Sequence, residues 1–239
     1  MKTEEVIAHL DWAGIGMQLD QEGYASLPGL LGESQVRDLA ALGDSAGMDE
    51  KVSLASEDVG RGELRYFSKA PSPLIADLRT RFYRHLAPVA NRWNEALGLS
   101  HRYPDTLDMF LIQNRGAGQT RSQSNLSRLR EGDYEALHQR SDGEQIFPLQ
   151  LVALLSAPGK DFTGGEFVMT EQRPRMQSRP MVLPLHRGDM AIISVAKRPH
   201  KGTKGYYRVN LKHAISRVRS GERVGLELML HDAEKVRSR

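Results

Sequence analysis

Two histidines and an arginine in the second half of the chain are of residue types that bind a metal and an anion. His138 and His213 are 75 residues apart, and Arg223 follows ten residues after His213. Neutral imidazole suits Fe(II), and two histidines with one carboxylate leave coordination positions open for other ligands. Arginine carries a permanent charge on a planar fork that matches a carboxylate. The pattern therefore indicates a metal site with an anionic co-ligand, although eight histidines will also form such pairs by chance.

The segments around these residues add a family resemblance that covers most of the chain. It includes residues 23–31 near the start of the chain, continues at residues 86–94 and ends at residues 231–233. The most specific segments are FPLQ at 147–150, DFTGGEF at 161–167, EQRPRMQSR at 171–179 and YRVNLKHAISRVRSGER at 207–223. In these segments the chain resembles the Fe(II)/2-oxoglutarate-dependent oxygenases of the prolyl-hydroxylase-like type, and most closely a bacterial branch of them.

The resemblance implies a role for each of the three residues. His138 would be the proximal iron ligand, His213 the distal ligand, and Arg223 the anchor for the far carboxylate of 2-oxoglutarate. Gln150 would meet the cosubstrate or satisfy a buried partner. The implied cofactors are Fe(II), 2-oxoglutarate and O2. The expected reaction is oxidation of a C–H bond of the substrate.

Two positions depart from the family pattern. The residue two after the first histidine is aspartate in the family, and here it is Arg140. Gly225 stands where a hydroxyl residue commonly helps to bind the same carboxylate as the arginine. Replacing aspartate by a guanidinium adds two positive charges, which favours an extra anion such as chloride in the vacated position. Arg140 would then be a catalytic residue that swings outward or lies over the halide.

Three functions remain open on these grounds. The protein could be a halogenase that puts chloride on iron and chlorinates unactivated carbon. It could be a hydroxylase or related oxidase in which Asp142 reaches back as the third ligand. It could also be a catalytically inactive binding protein. Chloride dependence and an Arg140→Asp variant would separate the first two functions.

The charge distribution indicates the kind of substrate. Residues 172–239 carry sixteen Lys/Arg against five Asp/Glu, and residues 1–171 carry seventeen against twenty-five. A cleft lined by one sign of charge concentrates ligands of the other sign. We expect a small anionic substrate, such as a nucleotide or amino acid derivative, rather than polymeric nucleic acid, because few aromatics interleave with the basic residues. The candidate substrate-binding residues are Arg121, Asn125, Arg175, Arg179 and Arg198.

The predicted fold is α+β and mainly β: a double-stranded β-helix, jelly-roll or cupin-like, supported by N-terminal helices. We expect one domain over residues 1–239, with mainly helical support in 1–100 and the β-helix core in 101–233. Apolar spacing predicts helices over 3–19 and 73–97 and one that follows residues 31–34. Short strands are predicted at 23–30, 107–113, 145–155, 166–170, 181–185, 190–195, 206–211 and 224–230. Residues 43–65 show no periodicity and are predicted to be a long loop.

Composition excludes several classes of site and suggests a compartment. The chain has no cysteine, which excludes disulfides, thiolate ligands and a cysteine nucleophile. It contains no run of eighteen apolar residues, and its first residues lack the apolar stretch of a signal peptide. We therefore expect a cytoplasmic protein without membrane association.

Overall fold

Two antiparallel sheets enclose the interior of the molecule in a computed structural model that describes residues 3–43, 48–67 and 72–234. The larger sheet has the strand order β1-β12-β8-β15-β6-β4-β2, with β9 also paired to β15. The smaller has the order β11-β10-β14-β7-β3, with β13 also paired to β14. The sixteen strands are β1 Tyr24–Leu27, β2 Met48–Ser53, β3 Gly60–Arg61, β4 Glu63–Phe67, β5 Gln119–Ser122, β6 Asn125–Arg130, β7 Tyr134–His138, β8 Leu149–Leu154, β9 Phe162–Gly164, β10 Phe167–Gln172, β11 Arg179–Leu183, β12 Met190–Ser194, β13 Lys197–Gly202, β14 Gly205–Ile215, β15 Val218–Leu228 and β16 Asp232–Glu234. This is the predicted double-stranded β-helix.

Within the described residues, five α-helices accompany the sheets. They are α1 Thr3–Ala8, α2 Trp12–Glu22, α3 Glu33–Leu42, α4 Pro73–Ala96 and α5 Leu107–Gly116. In α4 the apolar residues at spacings of three and four are buried, as the sequence predicts. The predicted helix over 3–19 is divided in two, because the Asp11 carboxylate accepts a hydrogen bond from the Gly14 N–H and caps a new helix. None of the described helices is long and apolar enough to span a membrane.

Alternation along the central strands separates two layers of core. On β8, Leu149 and Leu151 belong to the cluster that packs against the helices, whereas Val152 and Leu154 belong to the cluster inside the barrel. Gln150 lies on the barrel side with Val152, which is the facing that strand periodicity predicts. Any polar side chain on this inner face is therefore held between two sheets and away from bulk water.

Two parts of the secondary-structure prediction were wrong. Residues 107–113 form a helix, not a strand, because the Thr106 hydroxyl caps the Met109 N–H and the buried residues Leu107 and Phe110 are spaced by three. The predicted loop over 43–65 contains β2, β3 and the start of β4, which extend the sheets at their edges. Edge strands are often short and polar, so they lack the alternation by which a strand is found in sequence. Residues 44–47 of that segment lie outside the described residues.

Candidate functional site

The two predicted histidine ligands lie side by side inside the barrel. His138 at the end of β7 is the register partner of His213 on β14, and their ring centroids are 4.2 Å apart. The register then shifts, so that Glu135 pairs with Ile215 and β7 carries one extra residue. Such a bulge re-aims side chains. It brings Glu135 and His138, three positions apart, to the same interior, with Glu135 Oε1 3.3 Å from His138 Nε2.

A third candidate ligand comes from the opposite sheet. Glu227 on β15 is buried, and one of its carboxylate oxygens lies 3.6 Å from His213 Nε2. The ligand atoms of His138, His213 and Glu227 all lie within 4.8 Å of one another. Two imidazoles and one carboxylate at this separation form the donor set of a facial triad, which is typical of non-heme Fe(II).

Arg140 fills the space between two buried carboxylates. Its Nη2 lies 3.0 Å from Glu135 Oε1, and its Nε lies 3.4 Å from Glu227 Oε2. The side chain does not swing outward, which was one of the two positions that the sequence suggested for it, the other being over a halide. Its charge lies between the Glu135 and Glu227 carboxylates. Asp142, the substitute ligand considered from sequence, is exposed, and Glu227 occupies the place beside the imidazoles.

Burial and neighbouring charges set the protonation states of the triad. Burial lowers the pKa of His138 and of His213, and the cation of Arg140 lowers that of His138 further. Both rings are therefore neutral near pH 7 and keep a lone pair for a metal. Burial raises the pKa of Glu227, but Arg140 and the hydrogen bond with His213 outweigh it and hold the pKa well below its usual range. Glu227 is thus an anionic ligand.

The second carboxylate has a different character. Burial and the nearby charge of Glu227 raise the pKa of Glu135 to about 7, although Arg140 opposes the shift. When two carboxylates share one buried site, their mutual repulsion raises the pKa of one of them, while the other stays ionised. Glu135 and Arg140 together form a pair that holds Glu227 in place without adding net charge when Glu135 is ionised.

Unsatisfied buried atoms test whether these residues fit a metal. His138 Nε2 and Gln150 Oε1 are buried without a hydrogen-bond partner, and Gln150 Nε2 lies 3.4 Å from His213 Nε2. Buried polar atoms are rarely left unpaired unless water, an ion or a ligand satisfies them. The donor set and these free atoms fit a divalent metal with room for further oxygen ligands.

A cavity lined by Phe167, a neighbour of His213, contains the third predicted residue. Its volume is about 440 Å³, and its lining includes Arg223, Phe162, Gly165 and Phe167. Phe167 also stacks on His213, with ring centroids 5.8 Å apart. Arg223 is buried, its Nε donates to the Gly165 carbonyl at 2.8 Å, and burial lowers its pKa to about 10, which leaves it charged at neutral pH. A charged, buried guanidinium in a largely apolar cavity suits the carboxylate of a small keto acid.

The glycine at 225 has a steric explanation. A Cβ at this position would lie 2.7 Å from Arg223 Nη1 and 2.8 Å from Ser127 Oγ. Ser127 is the register partner of Gly225 on β6 and is buried. Ser127 on the neighbouring strand therefore supplies the hydroxyl that was expected at position 225. Its Oγ lies in space that a side chain larger than that of glycine at position 225 would fill.

The candidate substrate residues fall into two groups. Asn125 is buried beside Glu227, and its Nδ2 lies 3.4 Å from Glu227 Oε2, so it helps to position the candidate ligand. Arg121 lies over the ring of Tyr66 at 5.5 Å.

The other three arginines lie away from the triad. Arg198 is fully buried, pairs with Glu171, and donates to the backbone carbonyls of Asp20 and Gln21. This contact network ties α2 to the sheet, so the expectation that Arg198 meets substrate is replaced by a structural role. Arg179 pairs with Glu22 at 2.8 Å, and Arg175 is exposed.

Sequence reasoning missed Glu227, Glu135 and Ser127. Glu227 had a visible signal, since it is a carboxylate in an otherwise apolar stretch and shares the strand face of Arg223 by a spacing of four. Glu135 had none, because without the bulge its side chain would point to the opposite face from His138.

Comparison with known proteins places this geometry in a family. The family model Oxygenase-NA, described as "Oxygenase, catalysing oxidative methylation of damaged DNA", matches residues 62–233. Two similar proteins of Mycobacterium tuberculosis, the uncharacterised proteins Rv2227 and MT2286, are each 41% identical over 172 residues, which is 71% of this chain and 74% of theirs.

Solved structures show the same fold at low identity. An oxidoreductase of the 2OG-Fe(II) oxygenase family from Burkholderia pseudomallei matches with a TM-score of 0.57 and 18% identity over 96% of both chains. A Pseudomonas putida prolyl-4-hydroxylase matches with a TM-score of 0.51 and 12% identity, over 90% of this chain and 96% of its own. A Trichoplax adhaerens prolyl hydroxylase in complex with a hypoxia inducible factor peptide fragment matches with a TM-score of 0.52 and 12% identity, over 97% and 91%.

Proposed function

Since the chain belongs to the Oxygenase-NA family, we propose that it is an Fe(II)- and 2-oxoglutarate-dependent dioxygenase whose metal ligands are His138, His213 and Glu227. The observation that carries the proposal is the meeting of these three ligand atoms within 4.8 Å inside the barrel. When bound, iron and 2-oxoglutarate would activate O2, one atom of which would enter a C–H bond of the substrate and the other succinate.

The chain's own residues divide the remaining work. His138 and His213 offer neutral imidazole nitrogens, and Glu227 offers an ionised oxygen. Arg140 fixes Glu227 by an ion pair. Arg223 holds the far carboxylate of the keto acid at the cavity wall, with the Ser127 hydroxyl as a second donor. The two sheets hold the buried side chains of His213, Glu227 and Arg223 away from bulk water, which strengthens their contacts.

Charge bookkeeping favours hydroxylation over chlorination. Fe(II), ionised Glu227 and the dianion of 2-oxoglutarate sum to minus one, so the metal and its ligands leave no excess positive charge beside Arg140. Glu135 offsets the charge of Arg140 further when it is ionised. The expectation of a halogenase rested on an empty third position with an excess positive charge. Glu227 supplies the missing carboxylate, so we propose a hydroxylase. Activity that depends on chloride would instead favour a halogenase.

The substrate we propose is an N-methylated base in DNA, which the family description supports. An oxygenase transfers oxygen rather than methyl groups, so the chemistry that joins oxidation, methylation and damaged DNA is methyl removal. Hydroxylation of an N-methyl group consumes O2 and 2-oxoglutarate and releases succinate and CO2. The C–N bond of the resulting N–CH2OH group then breaks. The hydroxymethyl carbon leaves as formaldehyde, and the base nitrogen takes up the proton that the hydroxyl loses. This replaces the small anionic substrate expected from sequence.

Formaldehyde release tests the proposal. The protein, supplied with Fe(II), 2-oxoglutarate and O2, is given single-stranded DNA that contains N-methylated bases, with unmethylated DNA and a Glu227→Gln variant as controls. We expect equimolar succinate and formaldehyde from the methylated strand, unchanged by chloride. Succinate without formaldehyde would refute the substrate, and a chlorinated product would refute the hydroxylase.

A further inference from the structure

The hairpin formed by β13 and β14 presents cations on one face. On β14 the side chains of Arg208 and Lys212 alternate with the inward-facing Val209, Leu211 and His213. Lys197 and Lys201 on β13 pair in register with Asn210 and Tyr206, and directly paired residues share a face. The four cations of this basic face, on the outer side of the smaller sheet, are Lys197, Lys201, Arg208 and Lys212.

The hairpin itself contains no acidic residue that would balance this charge. Residues 197–215 contain six Lys/Arg and no Asp or Glu. The four side chains of the basic face are exposed. Within the described part of the chain none of them has an ion-pair partner, in contrast to Arg173, Arg179 and Arg198, which pair with carboxylates. Uncompensated surface cations in a row are the electrostatic footprint of a polyanion-binding site.

The dimensions fit a nucleic-acid strand. Lys212 is six positions after Tyr206 on β14, so the basic face is about 20 Å long at about 3.3 Å per strand residue. One strand of B-form DNA rises about 3.4 Å per nucleotide, so the row spans several phosphates. Tyr206 is 50% exposed and provides a ring on which a base can stack.

The basic face leads toward the cavity that contains Arg223. Beyond Lys212, the turn from β14 to β15 adds the exposed side chains of Arg217 and Arg219. The Arg217 carbonyl accepts a hydrogen bond from the Gly165 N–H at 3.2 Å, and Gly165 lines the cavity. The exposed carboxylate at this rim, Glu166, is engaged by the Ser216 hydroxyl. The cations therefore continue from the hairpin to the entrance.

We propose that the basic face docks the phosphate backbone of single-stranded DNA and guides the strand to the cavity entrance. The inference rests on the proposed function, since it names where the proposed substrate is held. A single strand is the form that suits the site, because a base inside a duplex must first leave the stack to reach a buried metal.

Fluorescence anisotropy with labelled, unmethylated single-stranded DNA tests the docking surface. The full-length Lys201→Glu/Arg208→Glu variant is compared with Arg37→Glu/Arg84→Glu, which makes the same change in net charge at exposed positions of α3 and α4. If four cations contact phosphates, raising salt from about 50 to about 200 mM weakens binding of the unaltered protein roughly fiftyfold. The hairpin variant should bind at least about tenfold more weakly, with a salt slope shallower by about two.

The outcomes separate the docking surface from the proposed activity. Equal loss of binding in both variants, or no DNA binding by the unaltered protein, would overturn the docking surface. Turnover of a methylated nucleoside, too short to reach the hairpin, should be unchanged in the hairpin variant. DNA binding that depends on the hairpin without any formaldehyde release would leave the docking surface standing and refute the proposed function.

Discussion

Removing the Ser127 hydroxyl should weaken 2-oxoglutarate binding without affecting the metal. The structure places Ser127 Oγ and Arg223 Nη1 around the same space beside Gly225, each less than 3 Å from where a Cβ would lie. A hydrogen bond to a charged group contributes about 1.5–3 kcal/mol. Because 1.4 kcal/mol is about a tenfold change, Ser127→Ala should raise the dissociation constant of 2-oxoglutarate about ten- to a hundredfold.

Moving the hydroxyl back to position 225 tests the geometry itself. Gly225→Ser alone should also weaken binding, since its Cβ would collide with Ser127 Oγ and Arg223 Nη1. In the Ser127→Ala background one of these collisions disappears, so the double variant should regain most of the lost affinity. The assay is an anaerobic titration of the Fe(II) protein with 2-oxoglutarate that follows the visible charge-transfer band of the chelated keto acid. Ser34→Ala, at an exposed position of α3, is the control. Unchanged affinity in Ser127→Ala, or a double variant weaker than both single variants, would refute the reasoning.

Three further predictions concern charged groups in the interior. Arg198→Met should lower the free energy of unfolding by about 1.5–3 kcal/mol in urea, because the Glu171 carboxylate loses its fully buried partner and keeps only the half-buried Arg173; a loss below about 1 kcal/mol would contradict the structural role. Arg140→Met should lower the melting temperature of the metal-free protein. Mn(II) should then raise the melting temperature of the variant more than that of the unaltered protein, because the metal replaces the missing cation; an equal rise in melting temperature in both proteins would contradict this. Burial, aided by Arg79, lowers the pKa of His231 to about 3, so its contribution to stability is present above the unfolded pKa and is lost as pH falls from about 6.5 toward 3. Between pH 7 and 5 this loss is about 2 kcal/mol, and a His231→Gln variant should lack that part of the pH dependence.

The sequence predicted the fold well where periodicity was strong. The helix at Pro73–Ala96 and the strands at Leu149–Leu154 and Met190–Ser194 follow from apolar spacing and short apolar runs. It failed at Leu107–Gly116, where a short, mostly apolar stretch is compatible with either structure and the Thr106 cap favours a helix. It also failed at β2 and β3, which are edge strands with few apolar residues, and at β4, whose alternation covers only five residues.

The site was only half visible in the sequence. His138, His213 and Arg223 could be proposed from spacing and context, and the structure brings the two histidines together. The third ligand could not be found near the first histidine, because Glu227 is 89 residues further along the chain and reaches the triad from the opposite sheet. Arg140 was read as an empty ligand position, since its two carboxylate partners depend on a bulge in β7 and on sheet closure. Neither feature has a local sequence signal.

The identity of the third metal ligand is the most direct test. Fe(II) binding in the presence of 2-oxoglutarate, measured anaerobically by the charge-transfer band with and without chloride, is compared between the unaltered protein and its Glu227→Gln and Asp142→Ala variants. Loss of an outer contact typically costs about 10–100-fold in metal affinity, so loss of a ligand should cost Glu227→Gln at least about a hundredfold. Asp142→Ala should match the unaltered protein, and chloride should leave the band unchanged. Full Fe(II) affinity in Glu227→Gln, or a band that shifts with chloride, would contradict the triad of His138, His213 and Glu227.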